Sequence, residues 1–369
     1  LNGRFFVMVG TIIFSIVLLF YMLSTGSDDA SNLTAMGGHK AKPPNRHYNA
    51  KYPLSDYLVD KRDGSKSYRV ALVSDLDTNS KVKQGKYVSY LLQGELKLYD
   101  DFKMGEINFA RQSVELHSQY AYGDRGMELS ELVVFNGKLY SCDDRTGIVY
   151  EVQLDTRLVV PWVLLTDGDG LNQTKGFKCE WMAVRDERLY VGGLGKEWTT
   201  PQGVLVNHFP QWIKIIGAKG DVEHVDWTAN YNRMREPGGF LYPGYMIFES
   251  CAWSERESKW YFLPRRASKD AYDEKLDEQR ATNLIVRADE SFKKVSYQTV
   301  GNIVPARGFS SFKFVPNTNE RVIVALKSEE DADAGKMRTY VTMFTTSGYI
   351  IVPDQLISDS YKFEGIEFI

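Results

Sequence analysis

Two stretches, Ser130–Tyr140 (SELVVFNGKLY) and Glu180–Tyr190 (EWMAVRDERLY), share one pattern. Each opens on a polar oxygen residue, continues as an apolar run and turns on a pair (Asn136-Gly137 or Asp186-Glu187). Each ends with a basic residue before Leu-Tyr, 10 residues from the opening. Looser copies start at Glu249 (ESCAWSERESKWY) and Ser310 (SSFKFVPNTNERVIV), and a shortened one at Glu364 (EGIEFI). The openings are 50, 69, 61 and 54 residues apart. A self-similar hairpin at that period is the mark of a β-propeller blade.

Around these hairpins the chain alternates β-rich runs with turns, as in YRVALVSDL (68–76), GIVYEVQL (147–154) and RTYVTMFTT (338–346). The charged run Lys269–Arg280 reads as one short helix in a solvated insertion. The copy at Glu364 has only five residues after it, so its partner strands must come from elsewhere. The unclaimed strands in 68–100 suit that role. The expectation is an all-β, five-bladed β-propeller over 66–369, closed by strands from both ends of that domain.

Residues 5–24 carry no charge and are long enough for the roughly 20 apolar residues that span a bilayer core. They predict a signal-anchor transmembrane segment within 1–24, followed by a lumenal linker over 25–65. Arg4 before the segment, with Asp28 and Asp29 after it, predicts a cytoplasmic amino end; cleavage near Ser24–Ser27 is the alternative. Two sequons, at Asn32 and Asn172, agree with entry into the secretory pathway. The formal net charge of −3 suggests no nucleic-acid footprint. Three cysteines allow at most one disulfide, and five scattered histidines match no zinc motif.

In a propeller the repeated opening position lies on the innermost strand of each blade, facing the axis. That places Ser130, Glu180, Glu249, Ser310 and Glu364 in one ring. Three carboxylates and two hydroxyls converging there need a cation, and an all-oxygen set in a flexible ring favours Ca²⁺. Arg145, Arg265, Arg266 and Lys313 follow ring positions closely, and Lys196 ends a glycine-rich loop; together they would make one channel mouth basic.

The segments GMELSELVVFNGKLYSCDDRTG, GFKCEWMAVRDERLYVGGLGKEWTT, FLPRRAS, ALKSEED and FEGIEFI resemble the calcium-activated nucleotidase (apyrase) family, and the resemblance covers 68–369. It implies a five-bladed propeller with axial calcium, hydrolysing nucleoside di- and triphosphates to monophosphate and inorganic phosphate. It also implies the same five residues as calcium ligands, with Asp75, Asp144, Arg145, Lys196 and Arg265 as catalytic and phosphate-contacting positions. Weak calcium-linked homodimers fit the family. Trp198, Trp212, Tyr242 and Tyr245 are the candidates for stacking on a base. An uncleaved anchor would suit a Golgi or endoplasmic-reticulum enzyme clearing UDP and GDP. The alternatives are a secreted apyrase acting on ADP and ATP, and a non-catalytic propeller in which calcium only pins the blades.

Overall fold

The turn pairs form as their chemistry demands. Leu129–Phe135 pairs antiparallel with Lys138–Asp143. Between them Asn136 and Gly137 have φ of 51° and 70°, the left-handed pair of a tight hairpin whose twist matches its strands. Trp181–Arg185 and Arg188–Gly192 are joined likewise through Asp186 and Glu187, at φ 50° and 58°, without a glycine.

The computed structural model describes residues 48–99, 102–331 and 335–369. It is an all-β, propeller-like assembly. Four four-stranded sheets run from inner to outer strand in chain order, opening on Leu129–Phe135, Trp181–Arg185, Tyr245–Ser254 and Arg307–Phe314. A seven-stranded sheet is built around Lys66–Asp75 and Lys86–Leu98, with Lys362–Phe368 paired antiparallel to Lys66–Asp75. The inner strands touch in a closed cycle: Lys362–Phe368 neighbours Leu129–Phe135 on one side and Arg307–Phe314 on the other. Apolar side chains fill the spaces between neighbouring sheets, with Trp181 and Trp260 fully buried in one such layer.

The closing contact is tight. A Cβ on Gly365 would lie 2.5 Å from the Leu132 nitrogen and 2.6 Å from the Glu131 carbonyl carbon, so the two inner strands approach backbone to backbone. Gly365→Ala is therefore expected to cost about 1–3 kcal/mol, the range for overpacking a close contact. A thermal melt would show this as a lowered midpoint; an unchanged midpoint would mean the strands separate there at no cost.

Two helical features differ from expectation. Only Glu274–Asp277 is helical within Lys269–Arg280, capped by Asp273, whose carboxylate accepts from the Lys275 and Leu276 nitrogens. Thr228–Arg235 forms a helix that the sequence reading did not register, and its Tyr231 and Met234 join the core. Residues 48–65, assigned to the linker, pack on the sheets: the Asn49 nitrogen donates to Asn136 Oδ1 at 2.7 Å and Leu58–Val59 pairs with Lys66–Ser67. Among the described residues no helix is long and apolar enough to cross a membrane, and the expected anchor over 1–24 lies outside them. All three cysteines are buried free thiols.

Candidate active site

Four of the five ring positions share a backbone irregularity. In the inner-strand ladders the register skips Ser130 between Leu129 and Glu131, and Ser310 between Phe309 and Ser311. It likewise skips Glu249 between Phe248 and Cys251, and Glu364 between Phe363 and Gly365. A bulge leaves its extra residue unpaired and re-aims it, which is how an extended strand can turn a side chain towards an axis. Glu180 sits at a strand mouth instead, its nitrogen donating to the Gly192 carbonyl at 2.8 Å. Hydroxyls across the ladder support the bulges: Ser141 Oγ on the second strand donates to the Glu131 carbonyl at 2.7 Å, and Ser250 Oγ on the inner strand itself donates to the Leu263 carbonyl at 2.9 Å.

Glu180, Glu249 and Glu364 line one cavity of about 800 Å³, together with Asp75, Asp144, Lys196 and Arg265. Three residues further along the inner strands, Ala183, Ala252, Lys313 and Glu367 line a second cavity of about 520 Å³. The two cavities thus lie at different levels along the same inner strands. Lys313 belongs to the second, 3.0 Å from Glu131, so it does not share the mouth expected for it. Arg145 is also apart: its guanidinium lies 5.7 Å from the Tyr122 ring centre, Nε donates to the Tyr122 carbonyl, and it does not line the site cavity. Trp198 is the one expected aromatic that lines the cavity, with Lys175 Nζ 4.6 Å from its ring centre. Tyr272, which the sequence reading passed over, lines it too.

The structure adds site residues that the sequence motifs do not mark. Lys178 contacts Asp144 and lies 2.9 Å from Glu180 Oε1. Lys362 lies 2.9 Å from Asp75, 3.0 Å from Asp77 and 3.6 Å from Glu364. Arg265 Nη1 bridges Glu249 and Glu364, while Nη2 lies 3.1 Å from Glu330. Gly308 makes room for this, since a Cβ there would meet Arg265 Cγ at 2.5 Å. Two of them share a spacing: Lys178 and Lys362 both stand two residues before a ring glutamate, in KCE and KFE. The same offset before Ser130 holds Glu128, which Arg125 grips through Nε and Nη2.

Burial controls the electrostatics. It pushes the Glu180 carboxyl up to about 8 against the pull of Lys178, with Glu249 and Asp144 adding to the rise. It holds Glu364 well above the usual carboxylate range despite Lys362 and Arg265. Burial also works against ionisation of Glu330, but Arg265, Lys362 and Arg266 outweigh it and keep that carboxyl well below its ordinary value. Lys196, whose Nζ donates to the Glu197 carbonyl and Thr199 Oγ1, is lowered to about 8 by burial, an effect Asp277 partly offsets.

The donor set fits a hard cation. Ser130 and Ser310 are 2% and 1% exposed, yet neither hydroxyl has a hydrogen-bond partner, and buried hydroxyls are seldom left so. Glu180 Oε1 has the Lys178 ammonium 2.9 Å away as its charged neighbour. Three carboxylates and two orphaned hydroxyls are oxygen ligands of the kind calcium takes. Asp75, Asp77 and Glu128 also group their oxygens within 4.8 Å and, like the ring glutamates, lie against basic side chains, here Lys362 and Arg125.

The sequence pattern of the apyrase family matches residues 76–369. The chain belongs to the apyrase family. It is 50% identical over 323 residues to soluble calcium-activated nucleotidase 1 of Rattus norvegicus, covering 87% of this chain and 78% of the relative. Apyrase apy-1 of Caenorhabditis elegans is 46% identical, with 83% and 85% covered. The apyrase of Cimex lectularius is 38% identical, with 98% and 95% covered. The match to this family spans every ring position and all the basic residues set against it.

Proposed function

We propose that this apyrase-family chain hydrolyses nucleoside diphosphates, UDP and GDP first and triphosphates also, to monophosphate and inorganic phosphate in a calcium-dependent reaction. One observation carries the reading. Ten carboxylates and five basic side chains line the site cavity, a formal excess of five negative charges around groups suited to phosphate. A polyanionic nucleotide enters such a cavity only with a cation to reverse its sign. The seven-stranded sheet is taken as the fifth blade, and the axial ring as the cation's seat.

Ser130, Glu180, Glu249, Ser310 and Glu364 would hold calcium. When bound, the ion supplies charge against the phosphate oxygens and polarises an attacking water. The remaining work belongs to the chain. Asp144 is 7% exposed and its Oδ1 has no partner, so it can accept a proton from that water; Asp75 can orient it. Lys196, Arg265 and Arg266 face the same space and can hold the terminal phosphate, Arg through two oxygens at once. Trp198 and Tyr272 give the cavity an aromatic wall for the base. Arg145, held on Tyr122, would have to leave that ring to take its expected part.

The expected result is phosphate release from UDP and GDP faster than from ADP and ATP, falling to background with a calcium chelator and restored by calcium. Persistence in chelator would overturn the metal role; faster ADP hydrolysis would favour the secreted-apyrase alternative. The predicted anchor supports a Golgi or endoplasmic-reticulum membrane location with the catalytic domain in the lumen, or secretion after cleavage. Asn172 lies exposed, open to glycosylation there. Protease protection of the domain in sealed microsomes tests this.

A further inference from the structure

Each ring carboxylate is already held by a basic side chain. Lys178 lies 2.9 Å from Glu180, Arg265 Nη1 bonds both Glu249 and Glu364, and Lys362 lies 3.6 Å from Glu364. Arg265 and Lys362 are nearly buried, with side chains 5% and 7% exposed, so these are built contacts. A cation binding the same oxygens has to take them from these side chains. The released groups would not be stranded. Glu330 stands 3.1 Å from Arg265 Nη2 and 3.2 Å from Lys362 Nζ, outside the ring and on the cavity wall.

We propose that Arg265, Lys362 and Lys178 are internal competitors for the calcium ring, and that the ion, by taking the ring carboxylates, releases them to grip the substrate's phosphates. The idea rests on the function proposed above. It adds that ion and nucleotide are coupled through these three side chains as well as by direct contact. Calcium turns its rivals into phosphate ligands; a phosphate that holds them keeps them off the ring. By linkage, whatever factor the nucleotide adds to calcium affinity, calcium must add to nucleotide affinity.

The test is calcium titration by calorimetry on the full chain, with and without a methylene-bridged, non-hydrolysable UDP analogue. For the unaltered protein, saturating analogue should tighten calcium at least tenfold. Without analogue, Arg265→Gln and Lys362→Met should bind calcium at least tenfold tighter than the unaltered protein, having lost a competitor. Their coupling to the analogue should fall below about threefold. Lys196→Met serves as the comparison, because Lys196 lines the cavity but bonds the Glu197 carbonyl and Thr199, not the ring. It should weaken the analogue and leave calcium affinity unchanged.

Unchanged or weaker calcium binding in both folded variants overturns the proposal, as does full coupling retained in them. If either variant fails to fold, absence of coupling in the unaltered protein is enough to overturn it. Failure of the unaltered protein to bind calcium at all would instead sink the function proposed above, and this idea with it. The two failures are read in separate arms.

Discussion

Asp75→Asn and Asp144→Asn are each expected to lower UDP turnover by roughly 10²–10⁴-fold while the protein still folds and binds calcium. Both carboxylates line the cavity without belonging to the ring, and both are buried beside a lysine: Lys362 for Asp75 and Lys178 for Asp144. The amide keeps the shape and loses the base. It also loosens one lysine, which retains other partners, since Lys362 still has Asp77, Glu330 and Glu364 within reach. Steady-state hydrolysis and calcium calorimetry on the same preparations decide the roles. Near-full turnover in the Asp75 variant would leave Asp144 as the water-activating group. Joint loss of calcium and activity would move Asp75 into the metal shell.

Glu249→Gln and Glu180→Gln should act in the opposite order, on the ion first. Each removes one of three ring charges at nearly constant volume, and calcium affinity follows the number of charged ligands. The expected loss exceeds the roughly 10–100-fold seen when only an outer partner of a ligand is removed. At saturating calcium a 100-fold loss strips about 2.7 kcal/mol of ion-linked stability, so the calcium-induced rise in melting temperature should shrink with it. Unchanged calcium dependence in both variants would take these glutamates out of the ring.

The propeller-like architecture and the matched positions of Ser130, Glu180, Glu249, Ser310 and Glu364 at the inner strands are legible because both rest on recurrence. Matched turn pairs and matched openings survive as text even where the surrounding residues differ. The bulges that aim the ring were not legible, because a bulge is a relation between two strands and a single strand does not carry it. Lys313 shows the cost. Three residues after Ser310 it looks like a neighbour of the ring, but at about 3.3 Å per residue a strand carries it roughly 10 Å along the axis, to the other cavity. Arg145 was misplaced for a similar reason: the Asp144–Arg145 peptide sends neighbouring side chains to different surroundings, one to Lys178 and one to Tyr122. Lys178 and Lys362 share an offset, two residues before Glu180 and Glu364. A lysine beside a carboxylate carries no signal in sequence alone, because its meaning depends on the charges that the fold gathers into the cavity.

The pairing of Lys66–Asp75 with Lys362–Phe368 has a consequence for biosynthesis. Lys362 follows Asp75 by 287 residues, so the strand that completes this sheet leaves the ribosome long after its partner. At about 5–20 residues per second, roughly 15–60 s pass with that edge unpaired. The part that awaits its partner is apolar at Val70, Ala71, Leu72 and Val73, all destined for full burial, and an open strand of that kind invites pairing with another chain. Glu364 arrives on the same late strand, so the cation seat proposed above stays incomplete during this interval. A chaperone that covers a strand edge would thus be needed most until Lys362–Phe368 has been made, and a cation seated as proposed could stabilise the product only after closure.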